Sequence, residues 1–124
     1  MNKFLLSFRL YEPVASSLLA QTRKLSRQDK YDKLIQYLKS ISINGEILED
    51  STTSFILFQT NYGNMYTVTS GIMDRCGLTQ KDELFVVEFY QGKVLQDCRI
   101  KNNKIYDTNQ LPTGFPKMIP MIII

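Results

Sequence analysis

An α+β fold in a single domain is what this sequence predicts, and three observations carry it. Apolar residues alternate with period two over residues 3–10, and β-forming residues crowd 54–60 and 82–90, the marks of strands. Apolar residues recur with helical spacing over residues 31–41 and 66–76. Turn residues separate the segments, as at Asn44-Gly45, Asn61-Tyr62-Gly63-Asn64 and Gln91-Gly92.

In the first strand, Phe4, Leu6, Phe8 and Leu10 make one apolar face. The other face, Leu5, Ser7 and Arg9, turns polar toward its end. Pro13 closes the segment, because proline cannot donate to a ladder. Residues 13–30 read as a helical insertion or a lengthened start of the next helix, with Leu18 and Leu25 on one stripe and Arg23, Arg27 and Lys30 on another. Tyr31, Leu34, Ile35, Leu38 and Ile41 then form the buried stripe of the first main helix, with Asp29 at its positive end. Residues 46–49 read as a short strand with Ile47 inward, paired as a hairpin with residues 54–60.

Met65, Val68, Ile72 and Cys76 define the second helix. Gly77 stands where a left-handed C-terminal cap belongs, and Gly71 inside the helix suggests close packing. The strand at 82–90 is apolar at nearly every position, as a central strand is. Residues 93–100 and 104–107 read as a hairpin around Asn102-Asn103, and the terminal Met-Ile-Ile-Ile could add to a sheet edge.

The order β-α-β-β-α-β predicts a ferredoxin-like sandwich, an antiparallel sheet with both helices on one face. To it are added the insertion at 13–30 and a C-terminal β extension and tail at 93–124. The second sheet face then needs a cover, which predicts a homodimer joined through that face.

Composition narrows the chemistry. The 124 residues include no histidine, which removes Ser-His-Asp and Cys-His nucleophile systems and imidazole zinc sites. Two cysteines, Cys76 and Cys98, are too few for a disulfide scaffold or a four-thiolate metal site. The N-terminal apolar stretch is too broken for a signal peptide, and the apolar tail from Pro116 to Ile124 is far short of the roughly 20 residues of a membrane span. A cytoplasmic protein with reduced thiols, no membrane partner and no cofactor is expected.

The net charge of +3 is unevenly placed: +5 over residues 1–41, −5 over 42–92 and +3 over 93–124. Such asymmetry points to an anionic partner or to mutual neutralisation in the fold. Arg23, Lys24, Arg27, Lys30 and Lys33 form the densest basic cluster, and Lys93, Arg99, Lys101 and Lys104 form a second on the C-terminal hairpin. Both suit phosphate contacts, and both could be solvated faces balanced by nearby acids. Arg9 could bind phosphate by a bidentate fork, or pair with Glu12 or Glu88. Glu46, Glu49 and Asp50 offer carboxylates but read as a solvated turn. Tyr62 and Tyr66 are expected to cap the core rather than to stack on bases. Cys76, at a helix C-terminus, is a poor nucleophile because the dipole there disfavours a thiolate.

The succession FLLSFRL, YDKLIQYLKSI, STTSFILFQTN, TSGIMDRCGL and KDELFVVEF resembles the small ferredoxin-fold proteins of CRISPR adaptation and their relatives, the virulence-associated protein D and SinR families. The resemblance covers residues 3–90 apart from the insertion. It implies a homodimer that handles nucleic acid, in several relatives as a metal-dependent nuclease with an aspartate near the end of the first strand. Here that stretch is Ser7-Phe8-Arg9-Leu10, and the nearest carboxylate is Glu12. Arginine cannot ligate Mg²⁺, which demands oxygen ligands. No catalytic or metal-binding residue is therefore assigned.

A non-catalytic, homodimeric nucleic-acid-binding protein is expected, with Arg9, Arg23, Lys24, Arg27, Lys30, Arg99 and Lys101 as its contacts. A Mg²⁺-dependent nuclease and a protein-interaction module, such as an inhibitor or antitoxin-like partner, are the alternatives.

Overall fold

The first strand lies inside the sheet, paired along both of its edges. The computed structural model describes residues 2–13, 25–50, 54–61, 64–102 and 104–107. Its strands are β1 (Asn2–Arg9), β2 (Ile47–Asp50), β3 (Phe55–Thr60), β4 (Glu83–Tyr90), β5 (Lys93–Lys101) and β6 (Lys104–Asp107). Two helices, α1 (Arg27–Ile41) and α2 (Met65–Arg75), follow β1 and β3. The order across the sheet is β2-β3-β1-β4-β5-β6, and every pairing is antiparallel. The first four strands and both helices are compatible with a ferredoxin-like arrangement. β5 and β6 widen the sheet beyond β4. No helix among the described residues is long and apolar enough to cross a membrane.

Both helices pack on the face that carries Phe4, Leu6, Ile56, Phe58, Leu84 and Val86. α1 contributes Leu34 and Leu38, and α2 contributes Met65, Val68 and Ile72, all at 3% exposure or less. Tyr31, Ile35 and Ile41, expected in the α1 stripe, are only half-buried, whereas Tyr37 is buried against α2. The reason is Gly71. A Cβ there would lie 1.9 Å from Tyr37 Oη, so only glycine leaves room for the ring. The Arg75 guanidinium lies 4.8 Å from the centroid of the same ring, within cation–π range.

α1 begins earlier than its apolar stripe suggests. Ser26 Oγ accepts from the Asp29 N–H at 3.0 Å, and Asp29 Oδ2 accepts from the Ser26 N–H at 3.3 Å. This reciprocal capping box starts the helix at Arg27. Residues 27–30 therefore lengthen the start of α1, one of the two readings of 13–30; residues 14–24 lie outside the described residues. α2 ends as its sequence suggests, with Gly77 at φ +60° after the Cys76 cap.

The second sheet face carries Leu5, Phe55, Phe85, Val87 and Phe89 as a separate apolar cluster. These side chains are only 1–9% exposed within one chain. These five side chains are thus buried without a second copy. The terminal Met-Ile-Ile-Ile, Tyr62 and Lys117 lie outside the described residues.

Candidate functional site

The strand registers gather basic residues at one end of the sheet. Arg9, the last residue of β1, stands opposite Glu83, the first of β4. Glu83 stands opposite Lys101 at the end of β5, and Lys101 opposite Lys104 at the start of β6. Paired residues project to the same face of a sheet, so these four form one transverse row. It lies on the face away from the helices, which Arg9 shares with Leu5 by period-two alternation.

Glu83 is the one carboxylate of the row, and it is 8% exposed. Its Oε1 lies 3.5 Å from Arg99 Nε and its Oε2 3.9 Å from Lys101 Nζ. The Arg99 side chain is only 12% exposed, so it adds positive potential from below the surface. Arg9 and Lys104 are exposed, and the Lys101 side chain is 43% exposed. Among the described residues, Glu83 is thus shared between Arg99 and Lys101 at this corner. Neither Glu12 nor Glu88 stands opposite Arg9: Glu88 faces Phe4 across the ladder.

A cleft of about 500 Å³ opens beside Arg9 and brings in a second element, the first turn of α1. Arg9, Tyr11, Arg27 and Gln28 line it, with Phe8 and Tyr31. The Phe8 and Tyr31 rings pack on each other, centroids 5.5 Å apart and planes tilted by 45°. Arg27 is the first residue of α1 and is exposed. Its N–H donates to Glu12 Oε2 at 2.8 Å, so Glu12 is engaged at a helix terminus.

Beneath the cleft lies a buried ion pair. Lys30 Nζ sits 2.7 Å from Asp82 Oδ2, with the two side chains 1% and 0% exposed. Lys30 Nζ also donates to the Tyr11 carbonyl at 3.0 Å, and the Tyr11 N–H donates to Asp82 Oδ1 at 2.8 Å. The Thr79 N–H and hydroxyl complete the shell of Asp82 at 2.8 and 3.1 Å. Burial alone would push the Asp82 carboxyl up, but the bonds from Lys30, Thr79 and Tyr11 outweigh it and hold the carboxyl below its ordinary value.

Of the expected contacts, the fold brings Arg9, Arg27, Arg99 and Lys101 to this end of the molecule. Lys30 is a correction: its ammonium is enclosed and committed to Asp82 and Tyr11, so it presents no charge to a ligand. Its helical spacing from Arg27 placed it on the same stripe, but the end of β1 and the start of β4 close over that position. Arg23 and Lys24 lie outside the described residues. Lys93 pairs with Tyr90 at the far end of β5, away from the other cations of its hairpin.

The acidic candidates behave differently. Glu49 accepts a hydrogen bond from the Tyr31 hydroxyl. Burial and that bond push the Tyr31 phenol up to about 12. Among the described residues no three Cys, Asp or Glu side chains gather to hold a metal ion. Tyr66, expected against the core, is 74% exposed. Burial pushes the Cys76 thiol up to about 11, against the opposing pull of Lys33 and Arg75, which leaves it inert at neutral pH.

Tyr11, Gln28, Asp82 and Glu83 are absent from the sequence-derived candidates. Asp82 and Glu83 read simply as the start of a strand, and Tyr11 as the residue before a proline-terminated turn. Pairing Arg9 with Glu83 would have exposed the row, but that needs a register that periodicity alone leaves open. Comparison with protein-family models, curated proteins and solved structures returns no match.

Proposed function

We propose that this protein binds nucleic acid through phosphate contacts at the end of the sheet, without cleaving it. The observation that carries the reading is the row Arg9–Glu83–Lys101–Lys104, with Arg27 across the cleft from the same strand end. Arginine supplies a planar fork that suits phosphate, and lysine a point charge. Neighbouring phosphates along a strand ask for such cations in a line, as a transverse row at the strand spacing of roughly 4.8 Å provides. Two acids of this region are engaged locally, Glu83 with Arg99 and Lys101 and Glu12 with the Arg27 N–H.

The working form in this reading is a homodimer on a ferredoxin-like scaffold, akin to the CRISPR-adaptation proteins that the sequence resembles. What supports a dimer is the β4–β5 hairpin, where Val94 and Leu95 are 49% and 56% exposed and Tyr90 is 43% exposed. These exposed apolar side chains offer a second copy surface to cover.

The test is fluorescence anisotropy with labelled DNA and RNA oligonucleotides at low salt, using the parent and the charge-reversed variant Lys101→Glu/Lys104→Glu. Binding by the parent that is lost in the folded variant supports the reading. Equal binding by both proteins places the site elsewhere.

A further inference from the structure

The segment that forms one wall of the cleft is fixed residue by residue. Arg9 ends β1, and Leu10 is buried at 8% exposure. Tyr11 is held at its N–H by Asp82 and at its carbonyl by Lys30, and Glu12 is held by the Arg27 N–H. Yet Tyr11 is 48% exposed. An aromatic residue left in solvent on a backbone anchored by a buried ion pair is a preorganised contact surface. Little ordering entropy remains to be lost when something binds there.

Its neighbours indicate what would bind. Arg9 and Arg27 offer charge to phosphates, Gln28 carries an amide, and the cleft volume of about 500 Å³ falls in the range of small-ligand sites, roughly 300–1,000 Å³. A base stacks on an aromatic ring with little regard to sequence. In a duplex the base faces are covered by their neighbours and only the phosphates and groove edges face outward. An exposed tyrosine beside two arginines therefore meets a base face where the base is unstacked, as in a single strand.

We propose that the cleft takes one unstacked base against Tyr11, with Arg9 and Arg27 on the flanking phosphates, so that single-stranded nucleic acid is the preferred ligand. This rests on the nucleic-acid reading above and goes further by naming the strand state. Tyr11 is anchored through its backbone, so exchanging its side chain leaves both hydrogen bonds in place.

The experiment measures binding of a labelled oligothymidine and of a duplex of equal length by the parent, Tyr11→Ala and Tyr11→Trp. The chain contains no tryptophan, so the introduced indole is the sole one and reports stacking by its quenching. We expect tighter binding of the single strand by the parent and about a ten- to hundredfold loss of that binding in Tyr11→Ala. The loss of duplex affinity in Tyr11→Ala should be smaller than the loss of single-strand affinity, and the Tyr11→Trp emission should be quenched by oligothymidine. Unchanged single-strand affinity in Tyr11→Ala, while Lys101→Glu/Lys104→Glu abolishes binding, overturns the stacking site and leaves the phosphate row standing. Failure of the parent to bind either oligonucleotide at low salt overturns both.

Discussion

Lys30 and Asp82, 52 residues apart, close on each other at 2.7 Å with almost no surface exposed, and the backbone of Tyr11 is held by both. Three separate stretches meet there: the exit of β1, the first turn of α1 and the entry to β4. The pair is structural in its burial and functional in its consequence, because it fixes the wall of the cleft.

The two partners should not be equivalent. Asp82 keeps three donors from Tyr11 and Thr79 when Lys30 is removed, so Lys30→Met should cost about 1–3 kcal/mol, the penalty of an orphaned Tyr11 carbonyl and a lost charge contact. Asp82→Asn leaves a buried ammonium without its counter-charge and should cost about 3–5 kcal/mol. Urea denaturation of the two variants checks this, and the reverse order contradicts it.

Acid should weaken the fold through the same carboxylate. Asp82 is held below its ordinary value in the folded chain, so its contribution is complete above a pH of about 4 and is lost as pH falls through the lower folded value. Asp97, pushed up by burial, works in the opposite sense. At the alkaline end, the Tyr31 phenol rises from 10.0 to about 12, so its contribution is complete below pH 10.0 and is lost between 10.0 and about 12. Stability against pH should therefore flatten in acid for Asp82→Asn and in alkali for Tyr31→Phe. Curves parallel to the parent would contradict both assignments.

Gly71→Ala separates helix propensity from packing. On propensity alone alanine would stabilise α2 by about 1 kcal/mol. The 1.9 Å approach to Tyr37 Oη instead predicts a loss of about 1–3 kcal/mol by overpacking. Chemical denaturation decides the sign, and Tyr37→Leu in the same background should recover part of the loss.

The dimer is tested by light scattering of the parent beside Val94→Lys/Leu95→Lys. We expect the parent at twice the 14.4 kDa chain mass and the variant at the chain mass. A parent that stays at 14.4 kDa at every concentration contradicts the homodimer.

Much of the sheet was legible in the sequence because alternation reports burial on a strand. β1 follows from it within a residue, β3 and β4 follow from their runs of β-forming residues, and the α2 stripe Met65, Val68, Ile72 and Cys76 is buried as spaced. The first turn of α1 was not, because Arg27 to Lys30 are polar and the signal that starts the helix is the Ser26–Asp29 capping box. Lys30 was misplaced for a related reason: spacing assigns a helical stripe, but only the fold shows what stands over it. Of the site, Arg9 and the C-terminal cations were visible as charges. Their common carboxylate, Glu83, depends on cross-strand register, and Tyr11 depends on the long-range bonds of Lys30 and Asp82.

The salt dependence of oligonucleotide binding tests the phosphate row most directly. Four contacts, from Arg9, Arg27, Lys101 and Lys104, should give a log–log slope near −3 on a single strand for each bound chain, at about −0.7 per contact. Arg9→Ala/Lys101→Ala should flatten the slope by about 1.4 while the thermal unfolding profile remains that of a folded protein. An unchanged slope in that folded variant, or binding by the parent that is indifferent to salt, would contradict the account.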